Sequence, residues 1–123
     1  MLVGSRLSGQ RAEELAADFL RRQGLTVVAR NYRCRVGELD VIARDGAVLV
    51  VAEVRTRASA AYGGAAASVD RRKRQRLIRA TRRLLQQRRD LAQLAVRFDV
   101  LVVHAPGTPH PSIEWIRHAF AAA

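Results

Sequence analysis

The chain has one cysteine, Cys34, and one lysine, Lys73. A lone cysteine excludes an internal disulfide and any zinc site built on cysteine pairs. No histidine is paired with it in the pattern, so nothing marks Cys34 as a reactive thiol. His104, His110 and His118 lack metal-ligand spacing and read as surface or loop residues. Aromatic residues make up only 5% of the chain, which leaves few platforms for stacking single-stranded bases. No apolar run approaches the roughly 18 residues needed to span a bilayer, and Met1 to Gln10 has no apolar centre of a secretory signal. A cytoplasmic protein without membrane association is expected.

What the chain has in excess is positive charge, with 22 basic against 11 acidic residues and a net charge of +11. All but one of the basic residues are arginine. A compositional bias could substitute arginine for lysine, but it explains a surplus of basic over acidic residues poorly. A field of this sign favours polyanions, and nucleic acid is the expected partner. A length of 123 residues suits one hydrophobic core and therefore one domain, residues 1–123.

Apolar positions Ala12, Leu15, Ala16, Phe19 and Leu20 recur at helical steps between Gln10 and Gln23, with Ser8 as a candidate cap and Gly24 as a stop. Leu25 to Ala29 reads as a short strand, and Asn31 to Gly37 as a polar corner. Leu39 to Arg44 and Ala47 to Arg57 are strand-like runs around Asp45-Gly46, a dipeptide suited to a two-residue hairpin turn with positive φ angles. Pairing Arg44 with Ala47 sets Ile42 against Leu49, Asp40 against Val51 and Glu38 against Glu53. Alternation then gives one apolar face (Leu39, Val41, Ala43, Val48, Val50, Ala52, Val54) and a second face carrying Glu38, Asp40, Glu53 and Arg55.

Ala58 to Ser68, small residues around Gly63 and Gly64, reads as a loop. Asp70 is a candidate cap for a helix running to about Arg89, with a buried stripe of Leu77, Ile78, Thr81, Leu84 and Leu85. Val96 to Val103 reads as a strand, Ala105 to Ser112 with its three prolines as a loop, and Ile113 to Ile116 as a short closing element. Helix, three strands, helix and one or two strands suggest a mixed β-sheet flanked by helices.

In the expected register Asp40 and Glu53 lie diagonally across the hairpin, about 7 to 8 Å apart at Cα, where two carboxylates can converge on one magnesium or manganese ion. Carboxylates among valines and leucines cost several kcal/mol in desolvation unless a cation relieves them. A plainer assignment pairs Glu53 with Arg55 or Arg57 and leaves Glu38 and Asp40 solvated at a strand end.

The ordered string sharpens the choice. Gly37-Glu38-Leu39-Asp40, the hairpin, and Glu53-Val54-Arg55-Thr56-Arg57 resemble the Gly-Glu-x-Asp and Glu-Val-Lys-Thr-Arg motifs of the YraN-type bacterial proteins. These are similar in pattern to archaeal Holliday junction resolvases and the wider PD-(D/E)xK nucleases. Ala12-Glu13, Tyr62-Gly63-Gly64, Arg72-Lys73 and Arg97-Phe98-Asp99 match as well, so the resemblance covers most of the chain. It implies a restriction-endonuclease-like fold of order αβββαβ(β). It further implies Asp40 and Glu53 as ligands for magnesium or manganese, Arg55 at the usual lysine position, and Glu13 as a helix acid completing the site, with Glu14 an alternative. Glu38 would bind the ion, orient a water, or be a solvated edge acid. The implied chemistry is metal-assisted hydrolysis of DNA phosphodiester bonds, with branched DNA as the substrate suggested by the resolvases and a homodimer suited to cutting two strands. Arg55 departs from the pattern, because guanidinium stabilises an oxyanion but does not transfer protons near neutral pH. Lys73, a migrated lysine or a phosphate contact, is the alternative cation.

On the second helix, Arg71, Arg72, Lys73, Arg76, Arg79 and Arg83 form part of a surface with almost no acidic residues, suited to phosphate contact without sequence reading. Beside the nuclease reading stand a catalytically inactive DNA- or RNA-binding module and a basic RNA-associated protein.

Overall fold

The computed structural model describes residues 2–57 and 69–122, so the loop expected over Ala58 to Ser68, with Tyr62, Gly63 and Gly64, lies outside the described residues. The elements are α1 (Leu2–Arg22), β1 (Thr26–Cys34), β2 (Gly37–Asp45), β3 (Val48–Arg57), α2 (Arg71–Gln87), a 3-10 turn (Arg89–Leu91), β4 (Ala95–His104) and β5 (Ser112–Phe120). Five strands form one sheet in the order β1-β2-β3-β4-β5. Only β3 and β4 are parallel, and the segment containing α2 makes that crossover. This is the mixed, helix-flanked sheet expected from the sequence, consistent with a nuclease-like α/β fold.

The helices cover opposite faces. Ala12, Ala16 and Leu20 of α1 pack on Val41, Ala43, Val50, Ala52, Leu101 and Val103. Leu77, Ala80 and Leu84 of α2 pack with Ile42, Leu49, Val51, Val100 and Val102. Strands buried on both faces must be apolar at successive positions, which is why β3 and β4 read as continuous valine- and leucine-rich runs.

The start of α1 differs from expectation: the helix begins at Leu2, so Ser8 lies inside it. Neither Gly4 nor Ser8 costs more than about 1 kcal/mol in a helix interior, too little to delay its start. Its end is as expected. Gly24 takes φ 94°, its N–H donates to Arg21 O and that of Leu25 to Leu20 O, both at 3.0 Å, closing the helix with a Schellman motif. The polar corner is instead the second half of β1, which continues through Asn31 to Cys34. An edge strand can expose Arg30, Asn31 and Arg33 without cost to the core. Similarly, β5 runs past Ile116 to Phe120, because the register shift between Phe98 and Val100 lets pairing resume at Phe98↔Phe120.

The β2–β3 register is shifted by two residues from the expected one: Asp45 pairs with Val48, Arg44 with Leu49 and Ile42 with Val51. Gly46 has φ 60° while Ala47 is not among the residues with positive φ. The two loop residues are therefore Gly46-Ala47, with glycine at the first central position as a type II′ turn requires, rather than Asp45-Gly46. A turn displaced by one residue displaces the pairing by two, so each side chain keeps its face but changes its partner.

Candidate active site

Regular pairing of β2 with β3 ends at Val41↔Ala52, one residue before Asp40 and Glu53, so the two acids stand where the strands part rather than diagonally within the paired hairpin. The Val54 N–H donates to Asp40 Oδ2 at 2.9 Å, so a side chain takes the place of a strand carbonyl there. The alternation of β2 also changes at this point. Leu39, expected beside Val41, packs in the α2-side cluster instead.

Glu53 is 6% exposed, on the face of β3 that carries Leu49 and Val51. Burial, followed by the hydrogen bond to Glu53 and its charge, pushes the Asp40 carboxyl up to about 7, against the opposing pull of the Val54 N–H and Lys73. Asp40 therefore holds a proton up to near-neutral pH when no cation is bound. Lys73 Nζ lies 3.3 Å from Glu53 Oε2. That contact is an ion pair without hydrogen-bond geometry, and Oε2 remains a buried oxygen without a hydrogen-bond partner. Two hard oxygen donors on adjacent strands, one of them unsatisfied, fit a small divalent cation such as magnesium or manganese, with water and phosphate supplying the other positions.

The other acids are distributed differently from expectation. Among the described residues, no three His, Cys, Asp or Glu side chains lie close enough to hold one ion. Glu13, half-buried on α1, is near enough to feel Asp40: burial first and the charge of Asp40 second raise its pKa, while Arg30 opposes them. With its amide nitrogen turned toward α1, Asn31 donates to both Glu13 oxygens, at 3.0 and 2.9 Å. Asn31 holds φ 53° to do so, a conformation that asparagine tolerates better than most residues. Glu38 does not face Glu53, because the register shift carries it away. It is exposed and lies 3.6 Å from Arg33 across β1 and β2. Glu14 is exposed, 3.9 Å from Arg11.

Arg55 shares the face of Glu53 by alternation but forms no ion pair among the described residues. The cation on Glu53 is Lys73, from the first turn of α2. Asp70 caps that turn by accepting the Lys73 N–H at 2.8 Å. Sequence pattern could flag Lys73 as the only lysine, but not where α2 would set it down. Asn31 carried no signal beyond its place in a polar stretch.

The arginines of α2 divide between two flanks. Arg72, Arg76, Arg79 and Arg83, spaced four, three and four residues apart, form one exposed stripe. Lys73 and Arg76 line a cleft of about 460 Å³ with Glu38 and the β1–β2 turn. Arg71 turns the other way and, with Arg74 and Arg82, borders a cleft of about 520 Å³ beside Ala121 and Ala122, which Arg79, at the boundary of the two flanks, also lines. Of the histidines, His104 is a correction: it ends β4 with 15% of its side chain exposed, near Glu114.

Residues 12–103 match the description "Uncharacterised protein family UPF0102". The chain belongs to the UPF0102 family. This is the family to which the YraN-type pattern pointed. The UPF0102 chain is 48% identical over 119 residues to a UPF0102 protein of Pseudomonas aeruginosa (strain LESB58), covering 96% of this chain and 95% of that one. Identity to the UPF0102 protein MCA0184 of Methylococcus capsulatus is 46% over 116 residues, 94% and 92% of the two chains. A UPF0102 protein of Methylobacillus flagellatus is 45% identical over 114 residues, 93% and 96% of the two. The residues matched by the family, 12–103, take in Glu13, Asp40, Glu53 and Lys73 and run from α1 into β4. No helix of the described residues is long and apolar enough to cross a membrane.

Proposed function

We propose that this chain binds nucleic acid and is a divalent-metal-dependent endonuclease hydrolysing DNA phosphodiester bonds. The observation that carries this reading is the half-buried Asp40 beside the buried Glu53 with its unsatisfied oxygen, next to a cleft lined by Lys73 and Arg76. Bound magnesium or manganese would polarise a phosphate oxygen and acidify a water. Asp40 and Glu53 are the residues to hold the ion, and Glu13, fixed by Asn31, stands ready to orient a water at its edge. Lys73 neutralises Glu53 without the ion and lies where it can turn to a phosphate. The arginine stripe of α2 holds the backbone without reading bases. The test is purified protein with magnesium or manganese on linear, flapped and four-way DNA. Cleavage that persists in both Asp40→Ala and Glu53→Ala would be a contaminant and would remove the reading.

Two variants assign the cationic role. Lys73→Ala should lower turnover by about 10² to 10³, the scale for losing one preorganised stabilising group. Arg55→Ala should cost less, since Arg55 has no partner at the acid pair. The reverse order would return the role to the Glu-x-Lys position. Arg55 is also the observation that favours a second reading, a DNA- or RNA-binding module without turnover. On that reading no cleavage is measurable and binding persists.

For binding itself, replacing Arg72, Arg76, Arg79 and Arg83 with glutamine should weaken duplex affinity and flatten its salt dependence. The slope of log affinity against log salt should fall by about 0.9 for each phosphate that the variant no longer neutralises. Fluorescence anisotropy at several salt concentrations measures it, and an unchanged slope would place the phosphate-binding surface elsewhere.

A further inference from the structure

β1 and β2 close in a tight turn at Arg35-Val36, between the paired residues Cys34 and Gly37. Val36 is the exposed large hydrophobic side chain among the described residues, at 39%. One exposed apolar side chain ordinarily means nothing. Its surroundings make this one informative. The turn is flanked by two separate clefts, each of about 460 Å³, and Arg33, Arg35 and Val36 line both. One cleft is completed by Lys73 and Arg76 and leads toward Glu53, the ion partner of Lys73. The other is completed by Arg83 and Gln87.

The hairpin is also held firmly. A Cβ on Gly37 would meet Arg76 O at 3.3 Å, so the turn lies tight against the α2 backbone. Tyr32 Oη donates to Gln87 Oε1 at 2.7 Å, tying the last turn of α2 to β1. An apolar tip, rigidly mounted between two cationic channels, has the form of a wedge. Proteins that part base steps do so by pressing an apolar side chain against the stack while cations hold the phosphates.

We propose that the β1–β2 turn is a strand-separating wedge: Val36 packs against the last base pair where a DNA duplex divides, and the two strands leave along the two clefts. The strand in the Lys73–Arg76 cleft is the one presented to Asp40 and Glu53. This rests on the nuclease reading and deepens it by naming the substrate class, a duplex with a single-stranded fork.

The test compares a forked DNA, with 2-aminopurine at its last pair, and a blunt duplex of equal length, with calcium replacing magnesium to suppress cleavage. The wild-type protein should bind the fork about tenfold more tightly and raise the 2-aminopurine emission. Val36→Ser should lose most of that preference and the emission change while keeping its blunt-duplex affinity and its salt slope. Val36→Thr, nearly the same shape, guards against a folding defect and should fall between the two. Equal wild-type affinity for fork and duplex, or a preference and emission change unaffected by Val36→Ser, would overturn the wedge. Duplex cleavage that depends on Asp40 without fork preference would overturn the wedge and leave the nuclease reading standing. Absence of any DNA binding would instead defeat the nuclease reading.

Discussion

Asp99→Ala is expected to lower the unfolding free energy by about 3 to 5 kcal/mol, the cost of breaking a buried ion pair from one side. Asp99 is 1% exposed and accepts four hydrogen bonds. Arg97 supplies two at 2.9 Å, the Trp115 indole one at 2.8 Å, and the His118 N–H one at 2.9 Å. The last two fix the irregular part of β5, where His118 takes φ 52°. Without the carboxylate, Arg97 keeps only Asp45 at 3.9 Å, and two donors are left without an acceptor. A loss of this size is a large share of the 5 to 15 kcal/mol typical of a domain, and the melting temperature should fall by on the order of 10 °C. Asp99→Asn should be nearly as damaging, because its NH₂ would face donors. Arg97→Met should be comparably damaging, because it strands the fully buried Asp99 carboxylate with only the neutral donors of Trp115 and His118. Urea titration of the three variants measures this, and a loss below about 1 kcal/mol for Asp99→Ala would remove the network from the structural account.

The second large effect is at Asp40, in metal-free protein for stability and in loaded protein for activity. Its carboxyl titrates at about 7 in the fold, above the ordinary carboxylate value it has in the unfolded chain. The folded state therefore binds the proton more tightly. The stability that proton contributes is full below about pH 4, declines as pH rises, and is gone once pH passes 7. Asn carries no charge at any of these values and retains an oxygen for the Val54 N–H. Asp40→Asn should therefore become more stable than the wild type as pH rises from 5 to 8, by on the order of 2 kcal/mol. A pH-independent gap would mean that Asp40 does not titrate near neutral pH in the fold. With metal present the same variant should lose cleavage by at least about 10³, and calorimetry should show weakened manganese binding. Identical manganese binding by Asp40→Asn and Glu53→Gln would remove the carboxylate site.

Which side chains are buried was largely legible, because burial follows from local alternation. Val41, Ala43, Val50 and Ala52 fall on one face whichever two-residue turn joins the strands, since the two candidate registers differ by two residues. Leu39 escaped that rule because β2 leaves β3 at Asp40, an event set by a side chain bonding to a neighbouring strand. Partners were harder to read than faces. Glu38 was set opposite Glu53 by a turn assigned one residue too early, and the choice between Asp45-Gly46 and Gly46-Ala47 depends on which residue accepts the positive φ.

The sequence by itself determined the positive field, the order of helices and strands, the apolar faces, the Asp70 cap and the candidate acids, because each depends on composition or on residues within a few positions. Only the tertiary structure decided that Lys73 reaches Glu53, that Asn31 holds Glu13, that Glu38 stands aside, and that the β1–β2 turn sits between two basic clefts. Apart from Glu38, which follows from the turn at Gly46-Ala47, those arrangements join residues 18 or more positions apart or depend on how α2 lies across the sheet. They are fixed by packing on both faces at once, which no local pattern encodes.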